Sequence, residues 1–367
     1  MDYKIIVKKT LDYYHHDSER LRHKKPSGKY ISYKPYFYLT VPTASQEIFR
    51  VAYSVSDGGK HPKELNGLTD YLKPANLRFP LRDLKSYDIP NPGVYDTNLD
   101  SFLDYIRQKG WNGSNEPDFV TNKNLLKSVA ASKTNLVYAC RMNRVIFMIN
   151  GGTNDPVIFG YGPVFELIMT DKSDDGTERK GVFEAKVSRG DDSFRIYYSG
   201  QIDGVTKHGG TSTNNYRHYE LKLFQNTKGG EIGKGFWKDS SCIFFWQAFF
   251  GYCESLIFGF RTGEKKWKRI GPYHLYKITE MKVLEMPTKA AAELLDSDNK
   301  WTVEDGKCNL FSLLTFVKDN VTLDEDCFVF SKNSNDPFDW SAKRDEDGPV
   351  SEFREVIREK LHRDSQF

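Results

Sequence analysis

Devices that would anchor, export or cross-link this 367-residue chain are scarce. Its five cysteines (Cys140, Cys242, Cys253, Cys308 and Cys327) are widely spaced and include no C-x-x-C pair, which argues against a disulfide framework or a cysteine-based zinc site. The eight histidines form no H-x-x-x-H or H-E-x-x-H pair, and no G-x-S-x-G, Walker A or G-x-G-x-x-G signature occurs. Hydrolase triads, zinc proteases and dinucleotide folds therefore lose support. With 53 Lys and Arg against 50 Asp and Glu, the net charge is only +3, so a basic tail is not the main means of binding nucleic acid. The first residues, MDYKIIVKKTLDYY, hold an apolar run too short for a signal peptide, and the last, LHRDSQF, carry no prenylation box or retention signal. A nuclear or cytoplasmic, reducing setting is the expectation. The tripeptide Arg189-Gly190-Asp191 then reads as a turn, and the sequons at Asn112 and Asn320 as unmodified. Residues 242–260 come closest to a membrane span, but they contain Gln247, Glu254 and two glycines. They read as a buried helix followed by a strand, so no membrane association is expected.

Aromatic side chains are abundant: 25 Phe, 21 Tyr and 6 Trp, or 14% of the chain, so much of the core must be built from rings. No repeat or low-complexity tract divides the sequence, and one domain over residues 1–367, monomeric by default, is the simplest organisation. Residues 1–38 form an N-terminal basic and aromatic arm. Within it, residues 20–38 could suit phosphates and stacked bases, but the favoured reading is an exposed arm entering a strand. Leu99 to Lys109 predicts an amphipathic helix with Thr97 or Asn98 as N-cap and Gly110 as stop, and Thr121–Ser132 a second helix. Strands are expected at Leu136–Tyr138, Arg144–Ile149, Val157–Phe159, Val164–Met169, Val182–Val187, Phe194–Tyr198 and Tyr219–Phe224. A helix at Ser240–Phe250, closed by Gly251, precedes a strand at Ser255–Arg261; further helices are expected at Ala290–Leu295, Leu310–Val317 and Ser351–His362. The class is α/β (α+β): mixed β-sheets flanked by helices.

The chemistry concentrates in residues 199–222, where Asp203 ends a strand and Glu220-Leu221-Lys222 lies in the next. In a strand Glu220 and Lys222 project to one face. An Asp and a Glu from adjacent strands can hold Mg²⁺ or Mn²⁺, hard cations that take oxygen ligands, and a lysine beyond them can orient water or offset phosphate charge. This nuclease-like D…E-x-K layout also suits a solvated sheet face, and that alternative stays open on spacing alone. A second copy, Asp174 or Asp175 with Glu184-Ala185-Lys186, reads as a hairpin whose Glu and Lys decorate a polar face. His208 and His218 read as exposed loop histidines.

With these motifs in place, the order of segments resembles the decapping exoribonuclease (DXO) family over roughly residues 70–320. Gly162-Pro163-Val164-Phe165-Glu166 resembles that family's G-apolar-x-apolar-E segment, whose glutamate is a metal ligand. Asp203 resembles the aspartate of its E-x-D motif, and Glu220-Leu221-Lys222 its E-apolar-K motif. Residues 244–261 are similar to its helix with an embedded glutamine followed by a strand ending in G-apolar-R, which implies Gln247 near the RNA and Arg261 beside the site. Residues 119–123 resemble a segment carrying an arginine that contacts the 5′ end.

The resemblance implies a hydrolase of RNA 5′ ends that removes incomplete caps, NAD-type caps or pyrophosphate and degrades 5′ to 3′. A Mg²⁺ or Mn²⁺ ion would be held by Glu166, Asp203 and Glu220, with Lys222 catalytic. Lys123, Gln201, Gln247 and Arg261 would face a single-stranded RNA 5′ end, and an exoribonuclease or another protein is a further expected partner. Three positions depart from the family pattern: Gln201 stands for glutamate, Lys123 for arginine and Thr262 for aspartate. Gln201 leaves three carboxylates where the family has four, so weaker binding of at least one of two ions is expected. Lys123 lacks the planar fork that grips phosphate in two places.

Overall fold

Strand-forming and helix-forming stretches interleave through the chain, and the computed structural model describes residues 2–7, 11–17, 82–83, 99–111, 116–151, 162–169, 177–207, 216–225, 232–261, 274–334 and 336–362. Residues 20–38, Val157–Phe159, Asp174, Asp175, His208 and Thr262 fall outside them. The strands are β1 (Tyr3–Val7), β2 (Asp12–Asp17), β3 (Arg82–Asp83), β4 (Phe119–Asn122), β5 (Leu136–Met142), β6 (Val145–Asn150), β7 (Thr177–Arg189), β8 (Asp192–Gln201), β9 (Gly204–Lys207), β10 (Tyr216–Gln225), β11 (Cys253–Arg261), β12 (His274–Lys282), β13 (Cys327–Lys332) and β14 (Trp340–Arg344). The helices are α1 (Asp100–Lys109), α2 (Lys123–Ala130), α3 (Gly162–Met169), α4 (Lys234–Asp239), α5 (Ser241–Phe250), α6 (Met286–Glu293), α7 (Val303–Asn320) and α8 (Pro349–His362).

Among the described residues the strands form two mixed sheets. The larger runs β1-β7-β8-β4-β6-β5-β13-β14, with β2 also on β7; the smaller runs β3-β12-β11-β10-β9. The larger sheet is covered on both faces, as its strand residues show by alternation. Phe119, Ile146 and Met148 pack with α2, α5 and α7, while Val120, Val145, Phe147 and Ile149 pack under α1 and α8. Rings dominate the first of these cores, where Trp246 stacks on Phe250 at 5.6 Å. The backbone of α7 comes close enough to that indole that a Cβ at Gly306 would collide with it. Residues 242–260 form most of α5 and β11, and among the described residues no helix is long and apolar enough to cross a membrane.

Val164–Met169 is helical, not a strand: it belongs to α3. Its one polar residue is Glu166, so the run has no alternation to declare a period. Pro163, at the second position of the helix, suits a first turn, where its missing N–H is no loss. Helix α7 begins seven residues before the expected Leu310, because Thr302 and Asp305 close a capping box: Thr302 Oγ1 accepts the Asp305 N–H at 3.1 Å and Asp305 Oδ2 accepts the Thr302 N–H at 3.0 Å. The N-cap of α1 is Leu99, at φ 65°, where Thr97 or Asn98 was expected. The β7–β8 hairpin turns at Gly190 and Asp191, with Arg189 paired to Asp192 and Gly190 at φ 60°, which is the turn expected for that tripeptide.

Three connections position the site. Strand β8 leaves the larger sheet at Gln201, and β9 enters the smaller one only three residues on, so Ile202 and Asp203 form the crossing. Strand β4 runs parallel to β8, with Asn122 opposite Ser199, and passes directly into α2, whose N-cap Asn122 accepts the Leu125 N–H at 2.8 Å. Parallel strands β10 and β11 need a crossover between them, and α4 and α5 supply it.

Candidate active site

Glu220 and Lys222 alternate onto one face of β10, as their spacing requires, and Lys222 Nζ donates to Glu220 Oε1 at 2.5 Å. The same ammonium stands 3.8 Å from Asp203 Oδ2, which also accepts the Leu221 N–H at 2.9 Å. From α5, Gln247 Nε2 donates to Glu220 Oε1, and Phe244 places its ring 5.4 Å from Lys222 Nζ. From the start of α2, Lys123 Nζ donates to Glu220 Oε2 at 3.3 Å and to the Gln201 carbonyl at 2.6 Å. That reach depends on Gly200, because a Cβ there would lie 2.5 Å from Lys123 Cβ and 2.8 Å from its Cδ. The structure thus gathers Lys123, Asp203, Glu220, Lys222 and Gln247, with Gln201 entering through its backbone.

The cluster is buried, with Glu220 at 0% exposure and Asp203 at 7%, so charge is felt strongly. Burial pushes the Asp203 carboxyl up, and the Glu220 charge beside it pushes further, to about 6 against the pull of Lys222 and Lys123. Burial also opposes ionisation of Glu220, but Lys123 and Lys222 outweigh it and hold Glu220 at about 2. Lys222 and Lys123 stay protonated above their ordinary range: burial acts against them, and Glu220 and Asp203 more than compensate.

Other expected residues stand elsewhere. Glu166 comes from α3, whose Phe165 packs where a side chain of Gly259 would be. Gly259 pairs with Leu223, so Phe165 covers the opposite face of the small sheet from Glu220 and Lys222. The Glu166 carboxylate still raises Lys222 electrostatically. Arg261, buried at the end of β11, lies three positions, about 10 Å, beyond Phe258, the partner of Lys222. His218 is not an exposed loop residue: it is buried within β10, with Nδ1 2.9 Å from the Gly251 carbonyl. Glu184 does not decorate a polar face either. It is buried and paired with Arg195 at 3.2 Å, whereas Lys186 is exposed.

Sequence reasoning missed Lys127. It sits one turn after Lys123 on α2 and donates to Gln247 Oε1 at 3.1 Å. Burial, then repulsion by Lys222, lowers its pKa to about 8. The signal was present as a second lysine at i+4, which a helix must project from the same face.

The donor chemistry fits a hard divalent cation, because two buried carboxylates are forced together and burial with the Glu220 charge pushes the Asp203 carboxyl up. Asp203 and Glu220 would hold such an ion, with Glu166 the third carboxylate. Among the described residues, however, no three Asp, Glu, His or Cys side chains already stand together as an ion-holding group. Both Glu220 oxygens accept N–H donors from lysine or glutamine.

No family model matches the chain, and no curated protein matches it by sequence. Solved structures do match. S. pombe Rai1 is 15% identical with a TM-score of 0.61, covering 94% of this chain and 95% of its own. The chain has the fold of the Rai1 proteins. Scheffersomyces stipitis Rai1 in complex with (3'-NADP)+ and calcium ion matches at TM-score 0.60 and 13% identity, over 97% of this chain and 95% of that one. Candida albicans Rai1 in complex with pU5-Mn2+ matches at 0.58 and 13%, over 97% and 92%. At such identities the Rai1 likeness is one of fold, and it agrees with the mixed β-sheets flanked by helices expected from the sequence.

Proposed function

We propose that the chain is a divalent-cation-dependent hydrolase of RNA 5′ ends, acting on incomplete or NAD-type caps or on 5′ pyrophosphate and then degrading 5′ to 3′. The observation that carries this reading is the buried Asp203–Glu220–Lys222 constellation where the chain crosses between sheets. Its support from outside the chain is the Rai1 fold, since Rai1 proteins have been crystallised with pU5-Mn2+ and with (3'-NADP)+ and calcium.

A bound divalent cation supplies Lewis-acid polarisation of the phosphate and neutralises charge as it builds. Asp203 and Glu220 are the residues that would hold it, with Glu166 as the third carboxylate. Lys222 is oriented by Glu220 and, as a three-donor ammonium, keeps an N–H for a phosphate oxygen or a water. Gln247 fixes the rotamer of Glu220 through one end of its carboxamide. Lys123 balances Glu220. A buried site of this kind admits an unpaired end more readily than a duplex.

A second reading is favoured by one observation. Both oxygens of Glu220 already accept protein N–H donors and Gln201 is uncharged, an arrangement suited to binding RNA 5′ ends without efficient turnover.

The test uses RNA labelled separately at each end, incubated with the full chain and Mn²⁺ or Mg²⁺ and stopped with EDTA. Hydrolysis at the 5′ end releases the 5′ label as a mononucleotide or cap fragment while the 3′-labelled RNA shortens stepwise. Internal cuts in both, or no cleavage despite binding, would reject the hydrolase reading.

A further inference from the structure

Helix α2 presents two lysines to the site, and the structure gives them different surroundings. Lys123 is buried, its methylenes lie over Gly200, and its ammonium is committed to the Gln201 carbonyl and to Glu220. Binding a phosphate through Lys123 would break an ion pair inside the cluster and leave Glu220 short of charge. Lys127, one turn later on the same face, is only half-buried. Among the described residues its hydrogen-bond partner is the carboxamide oxygen of Gln247, a neutral acceptor. An ammonium has three donors, so two remain for a ligand. Burial and repulsion by Lys222 both disfavour its charge, and an anion beside it would offset both.

We propose that Lys127, not Lys123, receives the terminal phosphate of an RNA 5′ end. The inference rests on the RNA 5′-end reading above and assigns the phosphate contact within it. Gln247 joins the two functions, accepting from Lys127 at one end of its carboxamide and donating to Glu220 at the other. A phosphate on Lys127 therefore sits one side chain away from the carboxylate pair. Lysine is a point charge without a planar fork, so the site selects for charge more than for shape.

The experiment measures binding of 3′-fluorescein oligouridylates with a 5′-monophosphate or a 5′-hydroxyl, by anisotropy in EDTA so that nothing is cleaved. Wild type is expected to prefer the phosphate. Lys127→Met and Lys127→Gln should lower that preference about tenfold while leaving 5′-hydroxyl affinity unchanged, and Lys127→Arg should restore it. Lys123→Met should retain the preference. The proposal is overturned if Lys127→Met keeps it, if both ligands weaken equally, or if Lys123→Met alone abolishes it. Wild type binding both RNAs equally would reject the phosphate site and leave the 5′-end reading standing; binding neither RNA would reject both.

Discussion

Asp203 is a carboxylate held where its own charge is unwelcome, and replacing it with asparagine should make the protein more stable. Its carboxyl moves from an ordinary 3.8 to about 6 through burial and the neighbouring Glu220. At 1.36 kcal/mol for each tenfold change in proton affinity, keeping it ionised at neutral pH costs about 3 kcal/mol as an upper bound. The coupling with Glu220 shares that cost between the two groups, so a gain of about 1–3 kcal/mol is expected for Asp203→Asn. Asparagine retains an oxygen to accept the Leu221 N–H. The sign sets the pH window. An acid with a raised folded pKa contributes most to stability below its unfolded pKa, and the contribution is lost as pH rises through 3.8 towards 6. The variant's advantage should therefore be small at pH 4, grow to pH 6 and then level off. Urea unfolding of both proteins in EDTA across that range measures it. Adding Mn²⁺ should then raise the stability of wild type more than that of the variant, because an ion favours the state that binds it. Asp203→Asn less stable than wild type at pH 7 in EDTA would refute the claim of crowded charge.

Lys123→Met removes a cation from beside Glu220 and should tighten Mn²⁺ binding about tenfold in calorimetric titration; unchanged or weaker binding contradicts the assigned balance. Gly200→Ala brings a methyl against the Lys123 side chain and should cost about 1–3 kcal/mol in denaturant unfolding, an overpacking loss that Lys123→Ala relieves. Gly259→Ala drives Phe165 off β11, since the new Cβ would lie 2.6 Å from that ring, and with it should displace Glu166; an overpacking loss of similar size and weaker Mn²⁺ binding are expected together. Thr302→Ala opens the capping box of α7 and should lower stability by about 1 kcal/mol without altering ion binding.

Much of the site could be read before the fold because strand alternation is rigid. Once β10 is a strand, Glu220 and Lys222 must share a face, and Asp203 must sit near them if the chain turns back at once. What could not be read came from contacts between elements distant in sequence. Lys123 meets Glu220 97 residues away, a contact that needs β4 laid parallel to β8 and a glycine at position 200. Lys127 became visible only when α5 delivered Gln247 beside it. Val164–Met169 was open to misreading because a nearly all-apolar run carries no period, whereas α1, with its polar face, was legible. His218 looked like a loop residue because the strand pattern began at Tyr219; β10 starts at Tyr216 and buries it.

The central claim is that Asp203, Glu220 and Lys222 form a hydrolytic site for RNA 5′ ends. Its most direct test is turnover of 5′-triphosphate, unmethylated-cap, NAD-capped and 5′-monophosphate RNAs by wild type, Gln201→Glu and Glu220→Ala, each with Mg²⁺ and Mn²⁺. The account predicts 5′-end cleavage by wild type, faster cleavage by Gln201→Glu through its added carboxylate, and none by Glu220→Ala. Cleavage that survives Glu220→Ala unchanged, or RNA left intact by wild type and Gln201→Glu alike, would contradict it.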